Sequence, residues 1–299
     1  MYVVERFARY AHEFRSGPIP AQALHHAKRA VIDWHAAVVP GALVAPATLL
    51  ERARAEDLDR GSAALILGRP ATARAAALIN GTAAHAVEVD DIFKFGIYHP
   101  GAPTIAAAFA AAQAVRANGE ALLRAVIVGY EISTRIGAAM GRAHYRFWHN
   151  TGTVGTFGAA AACAEVYRLD AARFAHAIAT ASTFAAGLQQ AFRIDSMSKP
   201  LHSGHAAEAG LLAAQAAREG VTGSLDVIEG DGGRGALQPQ VRDRHRPRPR
   251  QRPARGVRAR APGRPRHARA DAADRSRGRA AARRGISRPA RRAGGDRHP

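Results

Sequence analysis

Cysteine is almost missing from this chain: Cys163 is the only one in 299 residues. No intrachain disulfide can form, and a reducing compartment is the default. Its setting, Ala161-Ala162-Cys163-Ala164, is apolar and helical in pattern, so a buried structural thiol is expected rather than a nucleophile. The first residues show no basic stretch followed by an apolar one, so no signal peptide is expected. No apolar run reaches membrane-spanning length, because Gln113, Arg116 and Glu165 interrupt the alanine-rich stretches. A soluble, cytoplasmic body with no membrane partner is expected.

Lysine is scarce as well. Residues 1–240 hold only Lys28, Lys94 and Lys199. From Val241 to Pro299 the list of absences lengthens to Lys, Glu, Leu, Phe, Tyr, Trp, Met, Cys, Asn and Thr. What remains there is 21 Arg against 4 Asp, a charge of +17 out of +19 for the whole chain. The 22 basic and 20 acidic side chains of residues 1–240 leave the body at only +2. The high net charge, which by itself would suggest a nucleic-acid binder, therefore describes the tail.

The body is rich in Ala, Leu, Val and Gly and is long enough for one large domain with a substantial core. Pro18-Ile19-Pro20 opens a helix whose buried face recurs at Leu24, Ala27, Val31, Trp34 and Val38, and Pro40-Gly41 ends it. Further helices are predicted at about 46–57, 71–87, 104–117, 120–140, 153–167, 171–190 and 203–219. A short extended piece is predicted at 63–67, closed by Gly68-Arg69-Pro70. Residues 125–130 are apolar on all sides, which suits a central buried helix. Small residues at 106–112 and 159–164 allow close helix approach. No strand–helix alternation and no fixed-period repeat is present. The fold class is mainly α.

Three segments could carry chemistry. The first runs from His85-Ala86-Val87-Glu88-Val89-Asp90-Asp91 to Tyr98-His99-Pro100-Gly101, with three carboxylates and two imidazoles in close sequence. Such crowding is costly unless the groups share protons, pair with cations or bind a ligand. His85 and Glu88, one helical turn apart, could be metal ligands, but no HExxH or ExxH companion exists. A helix end with solvated acids is the competing explanation. In the second segment, His149 precedes a Gly/Thr-rich turn, Gly152 to Thr156, that feeds an apolar helix. Free N–H groups there would suit a carboxylate or phosphate, whereas an Asn/Thr cap with tight packing explains the same residues without a ligand. In the third, Lys199 stands in a loop just before a helix, fixed by Pro200. An ammonium in that place could hold a carboxylate or stabilise an enolate, or simply be solvated.

Taken together, the three segments resemble the MmgE/PrpD family, which includes 2-methylcitrate dehydratases and cis-aconitate decarboxylases. The matching stretches are Asn80-Gly81-Thr82-Ala83-Ala84-His85 through Asp90-Asp91 and His99-Pro100-Gly101, then His149 with Gly152 to Gly158, then Lys199-Pro200-Leu201-His202 with Gly204, Ala206 and Ala207. Ile228-Glu229-Gly230 and Gly232-Gly233 look like the end of the family's first helical region, so the likeness covers residues 1–233. The resemblance implies an all-helical domain, a smaller lid over the active site, a homodimer, small polycarboxylate substrates, and no metal or organic cofactor. Carried over, the catalytic residues fall on Asp90 or Asp91, His99, His149 and Lys199, with His202 and Thr153 as substrate-binding candidates. Many relatives have Asp at the Glu88 position and Thr at the Ile92 position. The implied reaction is dehydratase-like, water elimination from a hydroxy-polycarboxylate. A related decarboxylase or epimerase would reuse the same carbanion-like intermediate.

Residues 234–299 carry none of the lid motifs that the resemblance leads one to expect. With only Val241, Val257 and Ile286 as branched apolar residues from 241 onward, the tail cannot offset its chain entropy and is expected to be disordered. It reads either as a basic arm for nonspecific nucleic-acid binding or as out-of-frame translation of a GC-rich gene, and its composition favours the second.

Overall fold

The structure, a computed structural model, describes residues 1–194 and 196–233; the arginine-rich tail and both readings of it lie outside them. The body is mainly α, as the periodicity indicates. Its elements run α1 (Val3–Ser16), α2 (Ala21–Gly41), α3 (Ala47–Ala53), β1 (Leu58–Ala64), β2 (Pro70–Ala71), α4 (Ala73–Ala84), α5 (Gly101–Ala114), α6 (Gly119–Tyr145), α7 (Asn150–Val166), α8 (Ala171–Phe184) and α9 (Ser198–Arg218). No helix among the described residues is long and apolar enough to cross a membrane.

Helix starts follow local chemistry. Thr72, Asn118 and Asp170 each accept a backbone N–H in the first turn of α4, α6 and α8, from Ala75, Ala121 and Arg173 respectively. The extended piece lies earlier than expected. Leu65 to Gly68 form the turn instead, with Gly68 at φ 97°, and β1 pairs antiparallel with β2 across it. Helix α8 stops at Phe184, short of the predicted 190, and the chain bends through Gly187 (φ 121°) to a bridge between Leu188 and Trp148.

The centre of the fold is α7, not the 125–130 stretch of α6. Every residue from Asn150 to Val166 is buried, enclosed by α5, α6, α8 and α9. Helix α6 keeps Ile127 and Tyr130 partly exposed. Small side chains all round α7 make this possible, since no face of it needs water. Its one charge, Glu165, is met by Arg15 at 2.9 Å. Helices cross at small residues. A Cβ on Gly204 of α9 would lie 2.2 Å from the Leu78 carbonyl of α4, so only glycine permits that approach. The crossing matters for function, because it brings the end of α4 beside the start of α9. Cys163 is fully buried, and burial pushes its thiol pKa up, as expected of an inert core residue.

Candidate active site

The chain leaves α4 at Ala84, and His85 caps its C-terminus fully buried. Glu88 takes a left-handed conformation (φ 55°), which turns the chain and separates it from His85. Helix α4 ends before either residue, so the possible His85/Glu88 pair on one helical turn is not formed. His85 Nδ1 lies 3.0 Å and 3.2 Å from the two oxygens of Asp90. His99 Nδ1 approaches the Asp90 Oδ2 atom to 3.3 Å, within ion-pair range but not aligned as a hydrogen bond. The acids of this segment are not uniformly solvated: Asp90 is 8% exposed.

Electrostatics follow from this enclosure. Burial pushes the Asp90 carboxyl up, but the hydrogen bond of His85, the close approach of His99 and the charge of both outweigh it and hold the group below the usual carboxylate range. Burial works against protonated His99, yet the close approach and charge of Asp90 raise its pKa above 6.5. The ligand atoms of His85, Asp90 and His99 lie within 4.8 Å of one another, the one such grouping among the described residues. A carboxylate between two imidazoles also balances charge by itself, and the cluster reads as a proton-sharing group. Asp91 looks elsewhere: it accepts from the Gly101 N–H and the Tyr130 hydroxyl, each at 2.9 Å.

His149 forms the N-cap of α7, and the Gly/Thr stretch expected to be a turn is helix, with the Gly152 and Thr153 N–H groups bonded to the His149 carbonyl. The His149 ring stacks on His85 at 5.5 Å and meets His202 of α9 at 5.3 Å. The Nδ1 atoms of His149 and His202 stand 3.1 Å apart, so one must donate while the other accepts. Burial, then the charges of His85, His202, Lys199 and His99, lower the His149 pKa to about 2. Burial, then His205 and His85, also lower that of His202. Both rings are therefore neutral groups at neutral pH.

Lys199 lies within the first turn of α9, not in a preceding loop. Its ammonium is ion-paired with Glu88 and sits 4.9 Å from the centre of the Phe192 ring. Phe192 also meets His149, in a T-shaped contact at 4.7 Å. A cavity of about 540 Å³ opens at this point, lined among others by Ala86, Glu88, Phe192, Arg193, Ser196 and Lys199. A larger cavity, about 620 Å³, is lined by His144, Trp148, Thr153, Ser182, Thr183 and Asp226, among others. Thr153 belongs to that one: its hydroxyl is 2.9 Å from His144 Nε2. Size favours the larger cavity, but the smaller one holds the ammonium, and its Phe192 wall packs against His149 of the imidazole cluster.

Of the residues singled out in the sequence, His99, Asp90, His149, His202 and Lys199 come together with His85, while Asp91 and Thr153 face other partners. Phe192 and Tyr130 gave no signal, being ordinary aromatics in apolar surroundings. The partnership of Glu88 with Lys199 spans 111 positions and leaves no trace in local spacing.

Residues 5–241 match the family model described as the MmgE/PrpD N-terminal domain. The chain is 30% identical over 238 residues to the cis-aconitate decarboxylase-like protein oryM of Aspergillus oryzae, covering 76% of this chain and 49% of that protein. It is 28% identical over 243 residues to the human cis-aconitate decarboxylase, covering 79% and 50%. The cis-aconitate decarboxylase of Aspergillus terreus is 27% identical over 235 residues. The chain spans about half the length of these relatives.

Proposed function

The chain belongs to the MmgE/PrpD family, and from that premise we propose that it provides the helical half of a lyase acting on a small polycarboxylate. The observation that carries this reading is the Lys199 ammonium, oriented by Glu88 and Phe192 at a cavity whose Phe192 wall also packs against His149, one of four clustered imidazoles. A polycarboxylate needs a fixed cation for one carboxylate and neutral hydrogen-bonding groups beside the reacting carbon. Lys199 supplies the charge. His149 and His202, both neutral, supply hydrogen bonds without adding repulsion. Asp90 orients His99 and favours its protonated form, so that His99 can give a proton to carbon or to a leaving group and take it back.

Names of relatives favour decarboxylation over the dehydration suggested by the sequence segments alone. In that reaction the bond to the departing carboxylate breaks and its electron pair stays on the substrate, spread toward a carboxylate held by Lys199. Proton delivery by His99 then quenches the carbanion. Water elimination is the second reading, in which neutral His99 first removes a proton α to a carboxylate and the hydroxyl leaves protonated. Both reactions pass through the same stabilised anion, and the residues above serve either.

Incubation with cis-aconitate and, separately, with 2-methylcitrate, followed by proton NMR, distinguishes the two. The expected result is conversion of cis-aconitate with loss of carbon dioxide, with kcat/KM reduced at least about a hundredfold in both His99→Ala and Lys199→Ala. A loss below about tenfold in both variants would overturn the assignment.

A further inference from the structure

We propose that Asp91 and Tyr130 are positioning residues for His99, latching the start of α5, and that Asp91 is not a second proton-handling carboxylate beside Asp90. Asp90 and Asp91 are neighbours in sequence with different partners. Asp90 spends its oxygens on His85 and His99. Asp91 is bonded at both oxygens: Oδ1 accepts the Gly101 N–H and Oδ2 accepts the Tyr130 hydroxyl, both at 2.9 Å. Neither bond runs to an imidazole or to a residue lining the Lys199 cavity, so this carboxylate serves the scaffold rather than proton exchange.

The latch acts at a mechanically useful place. Gly101 is the first residue of α5, and its N–H is one of the four that a helix start leaves unpaired. A carboxylate there also complements the positive end of the helix dipole. His99 lies two residues upstream, joined through Pro100, whose ring fixes φ near −69°. Holding Gly101 therefore fixes the direction in which the chain leaves His99. The His99 N–H is anchored a second time, by the Thr151 hydroxyl of α7 at 3.2 Å. There is no slack in the assembly, since a Cβ on Gly101 would lie 2.8 Å from both Asp91 Oδ1 and the Tyr130 oxygen.

The two hydrogen bonds hold the Asp91 carboxylate against an unfavourable setting. Burial pushes the Asp91 carboxyl up to about 6, against the two hydrogen bonds that lower it, and Asp90 and Asp33 of α2 add repulsion. Tyr130 of α6 and Tyr98 both have raised pKa values and remain neutral donors, and His99 is the nearby basic group. Close packing keeps the carboxylate of Asp91 bonded to the backbone of α5 and the side chain of α6.

This inference rests on reading His99 as the proton-handling group, but its test needs no turnover. The full chain, labelled in its histidines, is titrated by NMR as wild type, Asp91→Asn and Asp91→Ala, with His99→Gln to assign the resonance and circular dichroism to confirm folding. Wild-type His99 is expected to titrate above 6.5. Asp91→Ala should bring it down by at least about half a pH unit as the ring drifts from Asp90. Asp91→Asn loses the same charge but keeps an oxygen for the Gly101 N–H, so it should hold His99 closer to the wild-type value. The difference between the two variants reads the hydrogen bond alone. Identical titration in Asn and Ala variants, whether shifted or not, would overturn the latch. If the Ala variant does not fold, Tyr130→Phe gives the same reading: a lowered His99 pKa supports the latch, and an unchanged one overturns it.

Discussion

His149 is 2% exposed and lies between two other imidazoles and an ammonium, where a proton would be both desolvated and repelled. In the unfolded chain the same ring titrates near the ordinary histidine value, so below about pH 6.5 the unfolded state binds a proton that the folded state refuses. Burial of His149 thus costs stability as pH falls. Asp91 acts in the opposite sense between about pH 4 and 6, and His99 does so above about pH 6.5, because in those windows their raised folded pKa values leave the folded state with more bound protons. Total acid sensitivity is a difference of opposed contributions, which a single substitution separates. Relative to wild type, His149→Gln should gain stability as pH drops from 6.5 to 5, approaching about 1.4 kcal/mol per pH unit at the acid end. Urea unfolding at several pH values measures this, and a pH-independent difference would contradict the assigned state of His149. The candidate imidazoles were legible in the sequence because, of the chain's 14 histidines, these sit in distinctive segments. Their sorting was not: whether Asp90 or Asp91 faces His99, and which way Thr153 points, depends on backbone angles that no spacing encodes.

Helices α4 and α9 hold part of the site, His85 at the end of one and Lys199 with His202 at the start of the other. Their crossing relies on Gly204, where an added Cβ would meet the Leu78 carbonyl at 2.2 Å and the Thr82 hydroxyl at 2.1 Å. A backbone oxygen in mid-helix cannot move aside alone, so the helices must separate. Gly204→Ala is expected to cost about 1–3 kcal/mol despite its better helix propensity. Gly119→Ala, with nothing within 4 Å of the new Cβ, should stay within about 0.5 kcal/mol of wild type. Thermal or urea unfolding of both variants checks the contrast; equal effects would mean that the close approach does not govern packing. Most helices were legible from apolar periodicity and from Pro and Gly punctuation. The earlier start of α9 was missed because Pro200 suggested a loop, although proline is tolerated in a first turn where its missing N–H has no partner to lose. The central position of α7 was missed for another reason. An Ala/Gly/Thr helix has little hydrophobic contrast between its faces, and burial on every side leaves no periodic signature.

Across the whole chain, the family match covers residues 5–241, while 17 of the 19 net positive charges fall in residues 241–299. The body contains a site with one oriented cation, two neutral imidazoles and a carboxylate shared between two more. Any polycarboxylate bound there must be distinguished from one held loosely by the 21 arginines of residues 241–299. Isothermal titration calorimetry with tricarballylate, an unreactive tricarboxylate, makes that distinction when run at physiological salt on the full chain and on Lys199→Ala. The account predicts saturable binding to wild type and at least about tenfold weaker binding to the variant, a loss of about 1.4 kcal/mol. Equal affinity in the two proteins, or none in either, would contradict it.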